Sequence, residues 1–157
     1  MACYRATFRE VYAYAGMLGG RNRASVEDVV QDVYTAALRR ARDGDLKTVS
    51  IGYFITAARR RSIDSWRSSD RERRRLQLVT GGLSDETPAA EEHPSTSLPA
   101  PMLDVLSERE RAAVILRFVD DLTVAQVATE LGVSTRAAES TLSRALARLR
   151  RGDVRHA

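Results

Sequence analysis

Arginine is the residue type in this chain best suited to binding chemistry, and it occurs in two dense clusters. Eight arginines lie between positions 59 and 75, around Asp64 and a Ser-Ser-Asp sequence, and six lie between positions 134 and 157. Planar guanidinium groups suit phosphate oxygens and the paired acceptors on guanine. Arginines beside aromatic and short polar residues also suit a strand whose bases are unstacked. Both clusters therefore indicate nucleic-acid binding.

Side chains for covalent or metal chemistry are scarce by comparison. Cys3 is the only cysteine, which excludes an intramolecular disulfide and a cysteine-rich zinc site. The two histidines, His93 and His156, fall in segments that we expect to be irregular. The sequence also has neither clustered carboxylates at metal spacing nor a phosphate-cradling glycine loop. We therefore predict no catalytic residue, no metal and no cofactor, and an enzyme acting on nucleic acid is a weak alternative.

The segment 122–151, LTVAQVATELGVSTRAAESTLSRALARLRR, predicts two helices around a tight turn. Thr123 and Gln126 have the spacing of a capping box at the start of the first helix. Gly132 can adopt the left-handed conformation that a sharp helix end requires, and Ser134 can cap the next helix. This layout is typical of a helix-turn-helix that reads DNA.

The second of these helices divides into two faces. At about 100° per residue, its apolar stripe packs and the opposite face is free to bind. A solvated basic face on an ordinary amphipathic helix is the alternative interpretation. The stripe consists of Ala138, Leu142, Ala145 and Leu149, and the opposite face of Arg136, Ser140, Ser143, Arg144, Ala147 and Arg151.

The N-terminal part of the chain predicts three helices, at about Tyr4–Leu18, Ser25–Arg42 and Val49–Arg67. The second begins with a possible capping box, Ser25 to Asp28. Its apolar stripe faces away from an acidic and polar surface, which either keeps the helix soluble or docks on a basic protein partner. The stripe is Val26, Val29, Val30, Val33, Ala37 and Ala41, and the polar surface is Asp28, Gln31, Asp32 and Thr35.

Charge and composition divide the chain into three parts. Residues 1–75 carry 16 basic and 9 acidic residues, and residues 102–157 carry 9 and 8. Residues 76–101 have four acidic residues, no Lys or Arg and all four prolines, as a flexible linker would. After the linker, Ser107 and Glu110 predict another capping box. We predict an all-α protein of two small helical domains, 1–75 and 102–157, joined by an acidic linker at 76–101.

The 157 residues contain 43% hydrophobic and 29% charged residues, which fits a soluble globular protein. The longest apolar runs fall short of the roughly 20 residues that a membrane span requires. The N-terminus also lacks the apolar core of a secretory signal. We therefore expect a cytoplasmic location and no membrane partner.

Two motif groups resemble the extracytoplasmic-function (ECF) group of bacterial sigma factors, in the sigma-70 family. SVEDVVQDVYTAAL followed by YFITAARRRSIDSWR is similar to their second conserved region. The C-terminal stretch LSERERAAVILRFVDDLTVAQVATELGVSTRAAESTLSRALARLR is similar to their fourth region. The resemblance covers nearly the whole chain apart from the linker, and the ordered pair is more specific than either half. It implies a non-enzymatic subunit that binds RNA polymerase core and directs promoter-specific initiation.

The resemblance also implies a role for each surface. The N-terminal domain would dock on the β′ clamp coiled coil and would read and open the minus-10 element, with a loop at Ser65–Arg71 capturing a flipped base. The C-terminal domain would read the minus-35 element and contact the β flap, and an anti-sigma factor is a possible partner. The implied polymerase-docking residues are Asp28, Gln31, Asp32 and Thr35; the minus-10 residues are Arg59, Arg60, Arg61, Asp64, Arg67, Ser68, Ser69, Asp70 and Arg71; the minus-35 residues are Thr135, Arg136, Glu139, Ser140, Ser143, Arg144 and Arg148.

The recognition helix departs from the family pattern at three positions. Glu139 and Thr141 stand where the family often has basic residues, and Ser143 replaces a larger side chain. Thr141 lies nearer the packing side, whereas Glu139 is lateral and could accept a hydrogen bond from cytosine. We therefore expect an unusual minus-35 sequence. The alternative function is a helix-turn-helix transcription regulator that acts without polymerase, which would leave the acidic surface and the first arginine cluster without a role.

Overall fold

The computed structural model describes residues 2–20, 22–44, 50–80 and 102–153. Over these ranges the chain forms α-helices, one 3₁₀ turn at Leu103–Val105 and connecting turns, with no β-strand. This confirms the all-α prediction. The helices are α1 (Ala2–Gly19), α2 (Arg23–Arg42), α3 (Ile51–Thr80), α4 (Glu108–Phe118), α5 (Val124–Leu131) and α6 (Thr135–Asp153).

The chain separates into two compact units, Met1–Ser62 and Ile63–Ala157. The division falls inside α3, so the first turns of that helix belong to the first unit and the remainder to the second. The domain boundaries at 75 and 102, which were placed by composition, stay a prediction. Most of the predicted linker, 81–101, lies outside the described residues, whereas 76–80 are helical.

Aromatic and β-branched side chains form the core of the first unit. Tyr34 of α2 lies at its centre, with its ring centroid 4.8 Å from those of Tyr4 and Phe54. Its hydroxyl shares a buried 2.8 Å hydrogen bond with Thr7 of α1. The predicted stripe of α2 is buried at Val26, Val29, Val30, Val33 and Ala37, but Ala41 is exposed near the end of the helix.

The start of α2 differs from the predicted capping box. The helix begins at Arg23, and Asn22 is its cap: the Asn22 side chain accepts a 3.1 Å hydrogen bond from the backbone N–H of Ser25. Ser25 therefore lies inside the first turn, so the prediction that it caps the helix was wrong. Asparagine accepts this bond as well as serine does, and the sequence prediction had considered only Ser25. Arg23 Nε donates to Glu27 at 2.8 Å, and this hydrogen bond raises the pKa of Arg23.

Helix α3 continues well past its predicted end at Arg67. The predicted loop Ser65–Arg71 is helical, because no proline or glycine interrupts residues 53–80. Within this part, the Ser69 hydroxyl donates to the Ser65 carbonyl at 3.1 Å, as a helical serine can. Asp70 forms ion pairs with Arg73 at 3.7 Å and Arg74 at 3.0 Å, one turn ahead. Short polar residues that suggested a loop are therefore held on the helix surface.

The second unit is built around α4, in which seven consecutive residues, 110–116, are buried. The Ser107 and Glu110 capping box is present, as predicted. Arg111 is buried as well, and its guanidinium donates to the carbonyls of Leu103 at 3.2 Å and Leu106 at 3.4 Å. These bonds fasten the 3₁₀ turn to α4. Helices α5 and α6 pack on α4, which gives α6 a fixed support.

Candidate nucleic-acid interface

The turn between α5 and α6 has the predicted geometry. Thr123 N donates to the Gln126 side chain at 2.8 Å, and Thr123 Oγ1 accepts from Gln126 N at 3.3 Å, which completes the capping box of α5. Gly132 ends α5 in the left-handed conformation, with φ 65° and ψ 40°. The Ser134 hydroxyl accepts from Ala137 N at 3.2 Å and caps α6. These local bonds fix where α6 begins and therefore which side chains it presents.

Helix α6 buries a stripe of small residues and exposes its polar side chains. Ala138 and Ala145 are fully buried, and Leu142 and Thr141 nearly so. Thr141 donates its hydroxyl to the Ala137 carbonyl at 2.8 Å, so it belongs to the packed side, as expected. Leu149 is partly exposed. All seven predicted minus-35 residues are exposed: Thr135, Arg136, Glu139, Ser140, Ser143, Arg144 and Arg148.

Two of these exposed arginines are held differently. Arg144 lies along its own helix, where its Nε donates to the Ser140 carbonyl at 3.3 Å. Arg148 instead reaches across to α4, where its Nη1 lies 3.2 Å from Oε2 of Glu110. Glu110 is only 5% exposed. Arg148 is therefore part of the packing of this unit as well as of its surface.

The predicted polymerase-docking surface of α2 is exposed throughout, at Asp28, Gln31, Asp32 and Thr35. Its four residues recur at spacings of three and four, which places them on one side of the helix. Asp32 has a partner within the first unit, since Arg61 Nη1 lies 2.6 Å from its carboxylate. Both side chains remain about half exposed, at 45% for Arg61 and 58% for Asp32. A predicted docking residue thus touches a predicted DNA-binding residue.

The predicted minus-10 residues all lie on α3 rather than on a helix and a following loop. Those fully at the surface are Arg60, Arg61, Asp64, Ser68, Ser69 and Arg71, whereas Arg59, Arg67 and Asp70 are half-buried. Because 65–71 is helical, successive side chains point in different directions, and this segment does not close a loop pocket around a base. Trp66 is also half-buried, consistent with a structural role.

Arg67 contacts the C-terminal end of α5 within the second unit. Its Nη2 donates to the carbonyl of Thr129 at 3.3 Å and also to that of Glu130. Carbonyls at a helix C-terminus carry partial negative charge, so a guanidinium stabilises them. A Cβ added to Gly132 would lie 3.0 Å from the same guanidinium. In this structure Arg67 therefore supports the helix-turn-helix.

Three contacts of the candidate interface lay beyond the sequence prediction: Arg148 with Glu110, Arg61 with Asp32, and Arg67 with the carbonyls at the end of α5. The capping-box pattern had marked Glu110, but only for its neighbour Ser107. Nothing in the spacing of these residues identifies a partner on another helix. Charge complementarity between acidic and basic positions was the one available signal for the two ion pairs, and it admits many pairings.

The described residues hold neither a cluster of metal ligands nor a membrane-spanning helix. Among the residues that the structure describes, no group of three or more His, Cys, Asp and Glu side chains could hold a metal ion. Within the same residues, none of the helices combines the length and the apolar character needed to cross a bilayer.

An all-helical chain with a capped helix-turn-helix and exposed arginines on its second helix defines a DNA-binding protein of the helix-turn-helix class. Residues 3–72 match the family model for sigma-70 region 2, and residues 102–149 match that for sigma-70 region 4. The chain belongs to the sigma-70 family of RNA polymerase sigma factors and, as its motifs predict, to the ECF group.

Two curated relatives and one solved structure illustrate the similarity. The RNA polymerase sigma-E factor of Streptomyces coelicolor is 33% identical over 123 residues, which are 76% of this chain and 69% of that protein. Sigma factor SigF of Mycobacterium tuberculosis is 36% identical over 89 residues, 57% of this chain but only 33% of SigF. The chain thus spans about a third of SigF. Sigma factor RpoE of Bartonella quintana, solved with the anti-sigma factor NepR, has a similar fold: TM-score 0.52, 22% identity, and coverage of 95% of this chain and 92% of that one.

Proposed function

We propose that this protein is a promoter-directing sigma factor that acts as a non-catalytic subunit of RNA polymerase. One observation carries the proposal: region 2 and region 4 sequences occur in order on one chain. A transcription regulator working without polymerase needs only the helix-turn-helix. The paired regions favour the sigma function because they provide two promoter-reading surfaces and a surface for the enzyme.

The exposed face of α2, at Asp28, Gln31, Asp32 and Thr35, would dock on the β′ coiled coil. Its acidic side chains are exposed to solvent in a domain that is otherwise basic, and exposed acidic side chains suit a basic partner surface. Region 4 would contact the β flap. Polymerase binding would thus place both DNA-reading helices on one promoter.

Helices α3 and α6 would share the reading of the promoter. Exposed arginines of α3, with Asp64, would bind the minus-10 element, while α6 would enter the major groove at the minus-35 element. Strand opening costs a few kcal/mol for each unstacked base step, and arginine contacts to the separated strand would offset part of it. The protein would contribute binding energy, and the polymerase all covalent chemistry.

Charge reversal on α2 tests the docking step. We expect Asp28→Lys with Asp32→Lys to weaken binding to bacterial core polymerase at least tenfold, measured by fluorescence anisotropy of the labelled protein. The matched control is Glu10→Lys with Asp43→Lys, which changes net charge equally at two other exposed acidic residues. Equal losses in both double variants would mean that net charge acts alone, and unchanged binding in the first would refute docking through this face.

Transcription from selected promoters tests the function as a whole. Core polymerase with this protein is mixed with a random promoter pool, and transcript 5′ ends are sequenced. We expect transcripts that share minus-10 and minus-35 elements, and substitution of Asp64 by Ala should alter minus-10 preference. Absence of any specific transcript, together with absence of co-migration with core polymerase, would refute the proposed function.

An anti-sigma factor is a further proposed partner. Its support is the similar fold of Bartonella quintana RpoE, which was solved bound to NepR. Such a partner would compete with core polymerase for this chain. Adding a candidate anti-sigma protein to the labelled sigma–polymerase complex should therefore lower its anisotropy, whereas a ternary complex would contradict the competition.

A further inference from the structure

Glu110 is a buried carboxylate that joins two elements of the helix-turn-helix unit. Its Oε2 accepts hydrogen bonds from Ser107 N at 3.0 Å and Ser107 Oγ at 3.1 Å, at the start of α4. The same oxygen lies 3.2 Å from Nη1 of Arg148 on α6. A buried carboxylate is costly unless it is paired and hydrogen-bonded. Arg148 therefore supplies the positive charge that this position requires.

The location of Arg148 on α6 separates it from the DNA-reading end of the helix. In helix-turn-helix proteins, residues near the N-terminus of the second helix contact base edges. At 1.5 Å per residue, Arg148 lies about 20 Å along the axis from Thr135. Arg144, one turn earlier, bonds to its own helix at Ser140 instead. Two arginines on nearly the same face thus have different partners.

The other buried residues of α6 are mostly short. Its most buried residues are Ala138, Thr141 and Ala145, whose side chains are short. Small side chains allow close approach of α6 but make fewer interlocking contacts than long ones. Because Glu110 is buried while Arg148 is half exposed, an arrangement of α6 that breaks this ion pair leaves the Glu110 carboxylate without its positive partner.

We propose that Arg148 is a positioning residue, which sets the angle of the recognition helix through Glu110 and does not itself contact promoter DNA. This inference rests on the proposed function, in that α6 reads the minus-35 element. It reassigns one residue of the predicted DNA-binding set. Arg144 remains a DNA-contacting residue and is the matched comparison.

The test uses the full chain assembled with core polymerase on a promoter recovered from the transcription experiment. Binding is measured across salt concentrations on the intact promoter and on one with a scrambled minus-35 element. For Arg144→Ala we expect a salt slope smaller by about 0.9, the loss of one phosphate contact. For Arg148→Ala we expect an unchanged slope but a preference for the intact element reduced about tenfold, as when one base pair is no longer read.

Glu110→Gln provides a second route to the same conclusion. Glutamine keeps the capping-box geometry but removes the charge that Arg148 meets. It should lower minus-35 preference as Arg148→Ala does, and the double variant should lose no more than either single variant. Arg148→Lys retains the positive charge and should restore part of the preference. If Arg148→Ala does not fold, the Lys and Gln variants carry the test.

The outcomes separate the two proposals. If Arg148→Ala lowers the salt slope as Arg144→Ala does, Arg148 contacts phosphate and the positioning role is overturned, while the sigma function stands. Additive losses from Glu110→Gln and Arg148→Ala would also overturn it. If the unaltered protein selects no minus-35 sequence, the proposed function fails. In that case a double-mutant cycle of unfolding with Glu110→Gln and Arg148→Ala tests the ion pair alone. We expect each single variant to raise the unfolding equilibrium constant about tenfold and the double variant to raise it no further.

Discussion

The two arginine-rich helices, α3 and α6, hold their positive charge in different ways. On α3, Arg61 pairs with Asp32 of α2, Arg74 pairs with Asp70, and Arg67 binds carbonyls at the end of α5. On α6, Arg144 lies along its own backbone, and among the predicted minus-35 residues, all of which the structure describes, Arg148 alone reaches an acidic side chain. The number of arginines in a cluster therefore overstates the positive charge it presents, and α3 presents less than its sequence suggests.

We expect the largest effect from a substitution that interrupts α3 where a loop was predicted. Ser69→Pro should destabilise the protein by about 3 kcal/mol and reduce its helical circular dichroism, because proline removes a backbone hydrogen bond and clashes with the preceding turn. Chemical denaturation followed by ellipticity measures both effects. Ser69→Ala is the control and should be nearly neutral. A neutral Ser69→Pro would mean that this segment is a loop after all.

The turn that presents α6 should be the next most sensitive position. Gly132→Ala should cost about 1–2 kcal/mol in unfolding free energy, since a residue with a Cβ is strained in the left-handed conformation. Gly16 is a suitable control because it lies within α1 with nothing within 4 Å of an added Cβ. Gly16→Ala should stabilise by up to about 1 kcal/mol. Equal effects at both glycines would contradict the assigned turn.

The next prediction concerns which residue caps α2, the helix that carries Asp32. Asn22→Ala should cost about 1 kcal/mol, because the N–H of Ser25 loses its acceptor. Ser25→Ala should change stability by less than about 0.5 kcal/mol, as expected inside a first turn. Thermal denaturation of the two variants compares them directly. The reverse order would restore Ser25 as the cap.

The smallest expected effect is the coupling between Arg61 and Asp32. Both side chains are about half exposed, so a double-mutant cycle with Arg61→Ala and Asp32→Ala should give about 0.2–1 kcal/mol. The coupling should shrink as salt is raised from 0.05 to about 1 M, because exposed charges are screened. A coupling that is independent of salt would show that the pair acts through packing instead.

Local signals predicted most of the helix-turn-helix unit. The caps at Ser107, Thr123 and Ser134 and the left-handed Gly132 were all identified correctly. The buried stripe of α6 was also predicted, except that Leu149 is only partly buried. Each of these features depends on residues three or four positions apart. The same approach was wrong for the end of α3, because Ser68, Ser69 and Asp70 are common in loops and equally tolerated on a solvated helix.

Periodicity, helix caps and motifs depend on residues close together in the chain, and they were enough to predict the helical fold, the helix-turn-helix at 122–151 and the region 2 sequence before it. Which charges meet depends instead on how the helices pack. Arg148 and Arg144 lie one turn apart on the same helix, yet the crossing of α6 with α4 brings only Arg148 to the buried Glu110. Helix crossing depends on the packing of the whole unit, and a single side chain's partner follows from that geometry.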